Sequence, residues 1–374
     1  RAQKSAVKFT EVELLSIITA LAIAVQAGVP ILTWGPPGVG KTATVNMLAA
    51  KLNLPLEVVL ASIREPADFS GLPVIREHGV KMEPPAWACR LAQAGKGILY
   101  LDEISTAPPA VQAALLRVVL ERVVGDLTLP PGVAVVASAN PPEQAVGGWD
   151  LTAPLANRFC HLYWSLDVMT WVEGMTRGWD LLDLPKLPSA WEDLIPAKQN
   201  LIASFIRHRP HLLLQLPPSE EQAGKAWPSP RSWAMASRLL AAACGVQAEE
   251  DVIAVLIAGC VGEVACLEFL AWLKDLDLPD PEQILAHPEQ LILPERGDQA
   301  FAILLAVITA ATARLTNERW TAAWRILARA AEQGQEDVAA VAAKKLAAAR
   351  RPELPLPTKE LREFVPLLQK GGLM

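Results

Sequence analysis

The sequence predicts an α/β protein: a mainly parallel sheet covered by helices on both faces, followed by an all-helical region. Three observations carry that prediction. From about Phe9 to Trp164, short apolar runs ("PILTW", "LEVVL", "GILYLD" and "VAVVASAN") alternate with helical patterns, each run bounded by Gly, Pro or polar residues. A Gly-rich loop, "TWGPPGVGKTATVN" (Thr33 to Asn46), joins the first run to the next helix. After Asp167 the strand-like runs nearly vanish, and helical patterning continues to about Arg351.

These signals divide the chain into residues 1–165, the αβα core; 166–195, a Trp/Pro/Leu-rich linker containing "WDLLDLPKLPSAWEDLIP"; 196–245 and 246–350, two helical stretches; and 351–374, a Pro-rich tail. Within the core, "REHG" between two β-like runs predicts a hairpin inserted between Ser62 and Gly97. The apolar stretches Asp251 to Trp272 and Gln299 to Leu315 are read as buried helices. The first carries Glu263 and Glu268, and the second is shorter than the roughly 20 residues a span requires, so no membrane span is expected.

The loop is the first piece of chemistry. Gly35, Pro36, Pro37, Gly38, Val39, Gly40, Lys41 and Thr42 fit G-x-x-x-x-G-K-[ST] between a strand and a helix, with Ala43 next in the helix. The glycines let consecutive backbone N–H groups curl around phosphates, and the helix N-terminus adds partial positive charge beneath them. Lys41 is placed to neutralise the β and γ phosphates of ATP, and the Thr42 hydroxyl to ligate Mg²⁺.

Further on, four apolar residues of "GILYLDEIS" run straight into Asp102 and Glu103, which puts both carboxylates at the C-terminal end of a buried strand. Asp102 is expected to hold magnesium through water and Glu103 to act as general base on the attacking water. The strand "GVAVVASANPP" ends in Asn140, a neutral amide able to position that water or touch the γ-phosphate.

This order of parts, a "GPPGxGKT" loop, an "LDE" strand, a strand ending in Asn and then "PLANRF", resembles the AAA+ ATPases, and within them the MoxR family. "REPADFSGLPV" (Arg64 to Val74) is similar to that family's D-x-x-G element, and Ala107 to Val124 to its helix leading into a hairpin. The resemblance covers Phe9 to about Tyr163, resumes at "SPRSWAMASRLL" and thins beyond about Val246. It implies a P-loop AAA+ core followed by a helical lid, 196–245, carrying Arg231 as the lid arginine that touches phosphate in cis. It also implies that Arg158 of "LANRF" is the finger reaching a neighbouring subunit's γ-phosphate, with Arg177 a competing candidate. The family commonly has an acidic residue before its finger, where this chain has Asn157. The implied partners are further copies of the chain in a hexameric ring, a protein client, and a protein with a von Willebrand factor A domain.

Composition bears on the alternatives. The 374 residues carry 34 basic and 40 acidic side chains, a net charge of -6, which leaves no basic footprint for nucleic acid. That counts against a nucleic-acid motor or restriction-type translocase built on the same core. An intact Lys41, Asp102, Glu103 and Arg158 set counts against a slow ATP-gated switch. Cys89, Cys160, Cys244, Cys260 and Cys266 lack metal-ligand spacing and suit a reducing cytoplasm. His78, His161, His208, His211 and His287 show no metal-ligand spacing either. The twelve tryptophans are spread without interleaved basic runs, so packing is their expected role.

Overall fold

Apolar surface on both faces of short strands dictates a sheet buried between helices, and that is the arrangement in the computed structural model. It describes residues 14–77, 79–141, 149–164, 168–178, 183–276, 278–355, 360, 364 and 365. In order these form α1 (Leu14–Ala27), β1 (Ile31–Trp34), α2 (Lys41–Lys51), β2 (Leu56–Leu60), α3 (Ala67–Ser70), β3 (Leu72–Arg76), β4 (Gly79–Glu83), α4 (Ala86–Ala94), β5 (Lys96–Asp102) and α5 (Pro109–Glu121). The short pair β6 (Val123–Val124) and β7 (Leu127–Thr128) precedes β8 (Gly132–Ala139), α6 (Ala153–Ala156), β9 (Cys160–Tyr163) and α7 (Val168–Arg177). Beyond lie α8 (Ile195–His208), α9 (Glu220–Ala223), α10 (Pro230–Gly245), α11 (Glu250–Val261), α12 (Glu263–Lys274), α13 (Pro281–Ala286), α14 (Gly297–Ala313), α15 (Asn317–Glu332) and α16 (Glu336–Ala348).

Five strands pair in the order β2-β5-β8-β1-β9, every neighbour parallel. The four apolar runs of the sequence are β1, β2, β5 and β8. The fifth strand, "CHLY", escapes a reading based on apolar runs because it is short and carries His161. Parallel strands need crossovers, and the helices supplying them cover the sheet. Ile98, Leu99, Tyr100 and Leu101 are accordingly buried. The inserted hairpin is β3–β4, with Leu72 opposite Glu83 and Arg76 opposite Gly79; His78 lies outside the described residues.

Two compact units divide the chain: residues 1–192 with 212–268, and residues 193–211 with 269–374. The first holds the sheet and a core built on Leu32, Leu99, Leu101, Leu115, Val135 and Phe159. Helix α1 is apolar on nearly every face and buried accordingly. The second is helical, packed around Trp320, Trp324, Leu304 and Leu327, with the two indoles edge to face at 5.7 Å. Arg207 near the end of α8 lies over the Phe301 ring in this unit, 4.8 Å from its centroid. Trp34, Trp87, Trp164, Trp191, Trp233, Trp272, Trp320 and Trp324 are all buried, which is packing rather than base stacking. Gly262, at φ 83°, breaks the apolar run 251–272 into α11 and α12, since a left-handed residue ends a helix. Among the described residues no helix is long and apolar enough to cross a membrane.

A buried polar chain joins two strands of the sheet to α6. The Trp34 indole N–H donates to His161 Nδ1 at 2.9 Å, and His161 Nε2 donates to the Ala156 carbonyl at 2.8 Å. This arrangement needs a neutral imidazole, and burial pushes the His161 pKa from 6.5 down to about 4. Between those values the unfolded chain binds a proton there and the folded chain does not. Stability is therefore expected to fall as pH drops through that window, by up to roughly 3 kcal/mol at its lower end. Denaturant midpoints at pH 7 and pH 4.5, compared with a His161→Gln chain, check this. A variant that loses stability in parallel with the wild type would remove His161 as the cause.

Candidate functional site

The site assembles at the C-terminal ends of β1, β5 and β8, where an open parallel sheet leaves a crevice. The loop from Gly35 to Gly40 leaves β1 and enters α2 at Lys41. Gly38 (φ 83°) and Gly40 (φ 93°) are left-handed, a conformation in which an L side chain would be strained, so the loop can curl with its N–H groups inward. Trp164 braces it from just beyond β9, its indole N–H donating to the Val39 carbonyl at 3.2 Å. Ala43, in the first turn of α2, lines an adjoining cavity of about 390 Å³, walled by Leu14, Ile18, Val39, Met47, Trp164 and Trp171. That is large enough and apolar enough for a nucleoside.

Lys41 is buried, and its ammonium donates to the Gly35 carbonyl, to the Pro36 carbonyl at 3.0 Å and to Asn140 Oδ1 at 3.1 Å. Burial lowers its pKa below the lysine value, while the nearby Asp102 and Glu103 carboxylates oppose that and favour the charge. The Asn140 backbone N–H is held by Ser105 Oγ at 3.1 Å. Thr42 Oγ1 donates to Asp102 Oδ2 at 3.2 Å and lies 3.3 Å from the Tyr100 hydroxyl. Asp102 also accepts from the Tyr100 hydroxyl at 3.2 Å and from Ser138 Oγ. Tyr100, desolvated at the centre of this cluster, has its pKa pushed up to about 12, so it serves as a neutral donor.

Glu103 stands on a left-handed backbone (φ 58°, ψ 42°), unusual for a residue with a side chain and characteristic of sites that aim one. Its carboxylate accepts from Ser62 Oγ at 2.9 Å, and its N–H approaches Asp102 Oδ1 (3.1 Å) and Ser138 Oγ (3.2 Å). A separate cluster holds the arginines. Arg158 donates to the Pro154 carbonyl, and its pKa is lowered by burial first and by the positive charge of Arg231 second. Arg231 is exposed at the start of α10. The side chain of Arg177 lies outside the described part of the structure.

The structure thus brings Lys41 onto Asn140 and Thr42 onto Asp102, with Glu103 beside them, and leaves Arg158 in a separate place, where the charge of Arg231 is felt. Ser62, Tyr100, Ser105 and Ser138 were missed in the sequence. Two of them carried a signal: Tyr100 lies two residues before Asp102 and Ser138 two before Asn140, so strand periodicity puts each on the same face as its neighbour. The oxygen donors Thr42 and Asp102 fit a Mg²⁺ that keeps water and phosphate as its other ligands. Among the described residues no group of three or more His, Cys, Asp or Glu side chains forms a metal cage of its own.

Residues 30–159 match an AAA domain of the dynein-related subfamily. The denitrification regulatory protein NirQ of Stutzerimonas stutzeri is 33% identical over 130 residues, covering 32% of this chain and 46% of that protein. The protein of the same name from Pseudomonas aeruginosa is 31% identical over 128 residues, covering 31% of this chain and 47% of its own length. The Holliday junction branch migration complex subunit RuvB 1 of a Synechococcus species is 29% identical over 158 residues, covering 40% of this chain and 37% of that protein. Each match therefore spans less than half of the relative.

Proposed function

We propose that the chain is a MoxR-like AAA+ ATPase that hydrolyses ATP between subunits of a ring, hexameric in this reading, to remodel or activate a protein client. The observation that carries the proposal is the convergence of Lys41, Thr42, Asp102, Glu103 and Asn140 at three adjacent strand ends. In this reading residues 1–165 are the nucleotide-binding core and 196–245, with Arg231, the lid. The partner carries a von Willebrand factor A domain. The regulatory role in the names of the two NirQ relatives fits an ATPase acting on another protein.

The chain's own groups divide the work. Loop N–H groups from Gly38 to Gly40 and the Lys41 ammonium bind the β and γ phosphates. Thr42 and Asp102 would hold Mg²⁺, which supplies charge neutralisation on the phosphate oxygens. Ser62 orients the Glu103 carboxylate, which takes the proton from the attacking water at Oε1 or Oε2. Asn140 shares the Lys41 ammonium and orients toward the γ position. Arg158 stabilises charge developing across the subunit boundary.

Replacing Lys41 with Ala removes the main cation facing the phosphates. A fluorescent-nucleotide titration is expected to show affinity reduced about 10- to 100-fold, the worth of a charge-assisted contact or two. Unchanged affinity would sink the P-loop assignment. The RuvB match favours a second reading, a nucleic-acid motor, against which the net charge of -6 weighs. Stimulation of turnover by DNA is the result that would select it.

A further inference from the structure

Several buried polar groups of the sheet-bearing unit converge on Asn157, the residue before Arg158. Its amide is only 3% exposed, just beyond α6. Asn157 Nδ2 donates to the Trp227 carbonyl at 3.1 Å, and Oδ1 accepts from Ser229 Oγ at 2.6 Å. Ser229 is the N-cap of α10. It accepts the Ser232 N–H at 3.1 Å, and Ser232 Oγ accepts the Ser229 N–H at 2.8 Å, a closed capping box. One amide therefore joins the segment carrying Arg158 to the first turn of the helix whose second residue is Arg231.

The chemistry at this junction admits few side chains. The position must donate to one buried acceptor and accept from one buried donor, which a primary amide does and a carboxylate cannot. An Asp here would turn a buried negative charge toward the Trp227 carbonyl and would draw the adjacent guanidinium to itself. The neutral amide leaves the guanidinium with no carboxylate at position 157 competing for it. The Arg158 Nε–H beside it is buried and without an acceptor among the described residues. An anionic oxygen group would complete that arrangement.

We propose that Asn157 is a positioning residue, clamping the Arg158 segment to the first turn of α10 through Trp227 and Ser229 so that the Arg158 guanidinium is held in place for phosphoryl transfer. The proposal rests on the ATPase reading above. Small displacements of a group that acts on a transition state cost rate rather than binding, up to about 10²-fold for 1 Å.

The test uses the full chain with Asn157→Leu and Ser229→Gly, read by steady-state ATP turnover, fluorescent-nucleotide titration and melting temperature. Glycine is a tolerated N-cap, so Ser229→Gly removes the hydroxyl that reaches Asn157 while keeping α10 capped at small cost. Both variants are expected to lose about tenfold or more in kcat, with KM and nucleotide affinity within about twofold of wild type. Adding Asn157→Leu to Arg158→Ala is expected to cost nothing further, because Asn157 acts through the arginine. Wild-type kcat in Ser229→Gly, or a multiplicative loss in the double variant, overturns the proposal while the ATPase reading stands. A wild-type chain with no Lys41-dependent turnover overturns both.

Discussion

Arg158→Ala is expected to bind ATP normally and to lose turnover by about 10³-fold or more, the usual worth of an arginine finger. Binding survives because Lys41, Thr42 and Asp102 of the same protomer are untouched. Arg158 sits in the separate arginine cluster, not among the groups that Lys41 and Thr42 contact. Turnover fails because the γ charge in each neighbour lacks its partner. Mixing Arg158→Ala with Lys41→Ala protomers is then expected to restore part of the activity, since some interfaces pair an intact loop with an intact finger. An arginine acting within its own protomer gives no such rescue. Mixed assemblies that remain dead while wild type is active would remove the shared-site reading. A wild type that stays monomeric with ATP at high concentration would turn the ring reading into that of a slow switch.

Glu103→Gln is the second large effect. The amide keeps the size of the side chain and can still receive the Ser62 hydroxyl, which in the wild type lies 2.9 Å from the carboxylate. It cannot take a proton from water at neutral pH. Nucleotide is expected to bind and persist while turnover falls about 10²-fold or more. Single-turnover rates with both chains separate the outcomes. Near-normal hydrolysis in the variant means that another group is the base, and slow hydrolysis in the wild type as well favours the switch. The same variant also offers a route to the client, because an assembly stalled with ATP retains the protein it has engaged. Identifying the proteins that stay bound to it in the native host would test the remodelling proposal directly.

Legibility in the sequence followed locality. The loop from Gly35 to Thr42 could be read because all of its geometry is contiguous: strand, left-handed glycines, helix start. The carboxylates Asp102 and Glu103 could be placed at a strand end because four apolar residues precede them. The hairpin β3–β4 was visible from its turn residues, whereas the break of the run 251–272 at Gly262 was not read from the sequence. Nor was strand β9, since four residues containing a histidine carry no periodic signal, and His161 is buried only because Trp34 and Ala156 satisfy both ring nitrogens.

The sequence by itself determined the Gly-rich loop between strand and helix, the two acidic residues at the end of a buried strand, the parallel α/β core and the helical character of the chain beyond that core. Each depends on neighbours within a few residues, or on a hydrophobic period that one segment carries alone. Only the tertiary structure decided that Tyr100, Ser138 and Thr42 share Asp102, that Ser62 holds Glu103, and that Asn157 joins Arg158 to the helix of Arg231. Those contacts link residues as far apart as Asn157 and Ser229. A buried hydroxyl or amide must find its partner wherever folding puts one, and no local pattern records where that is.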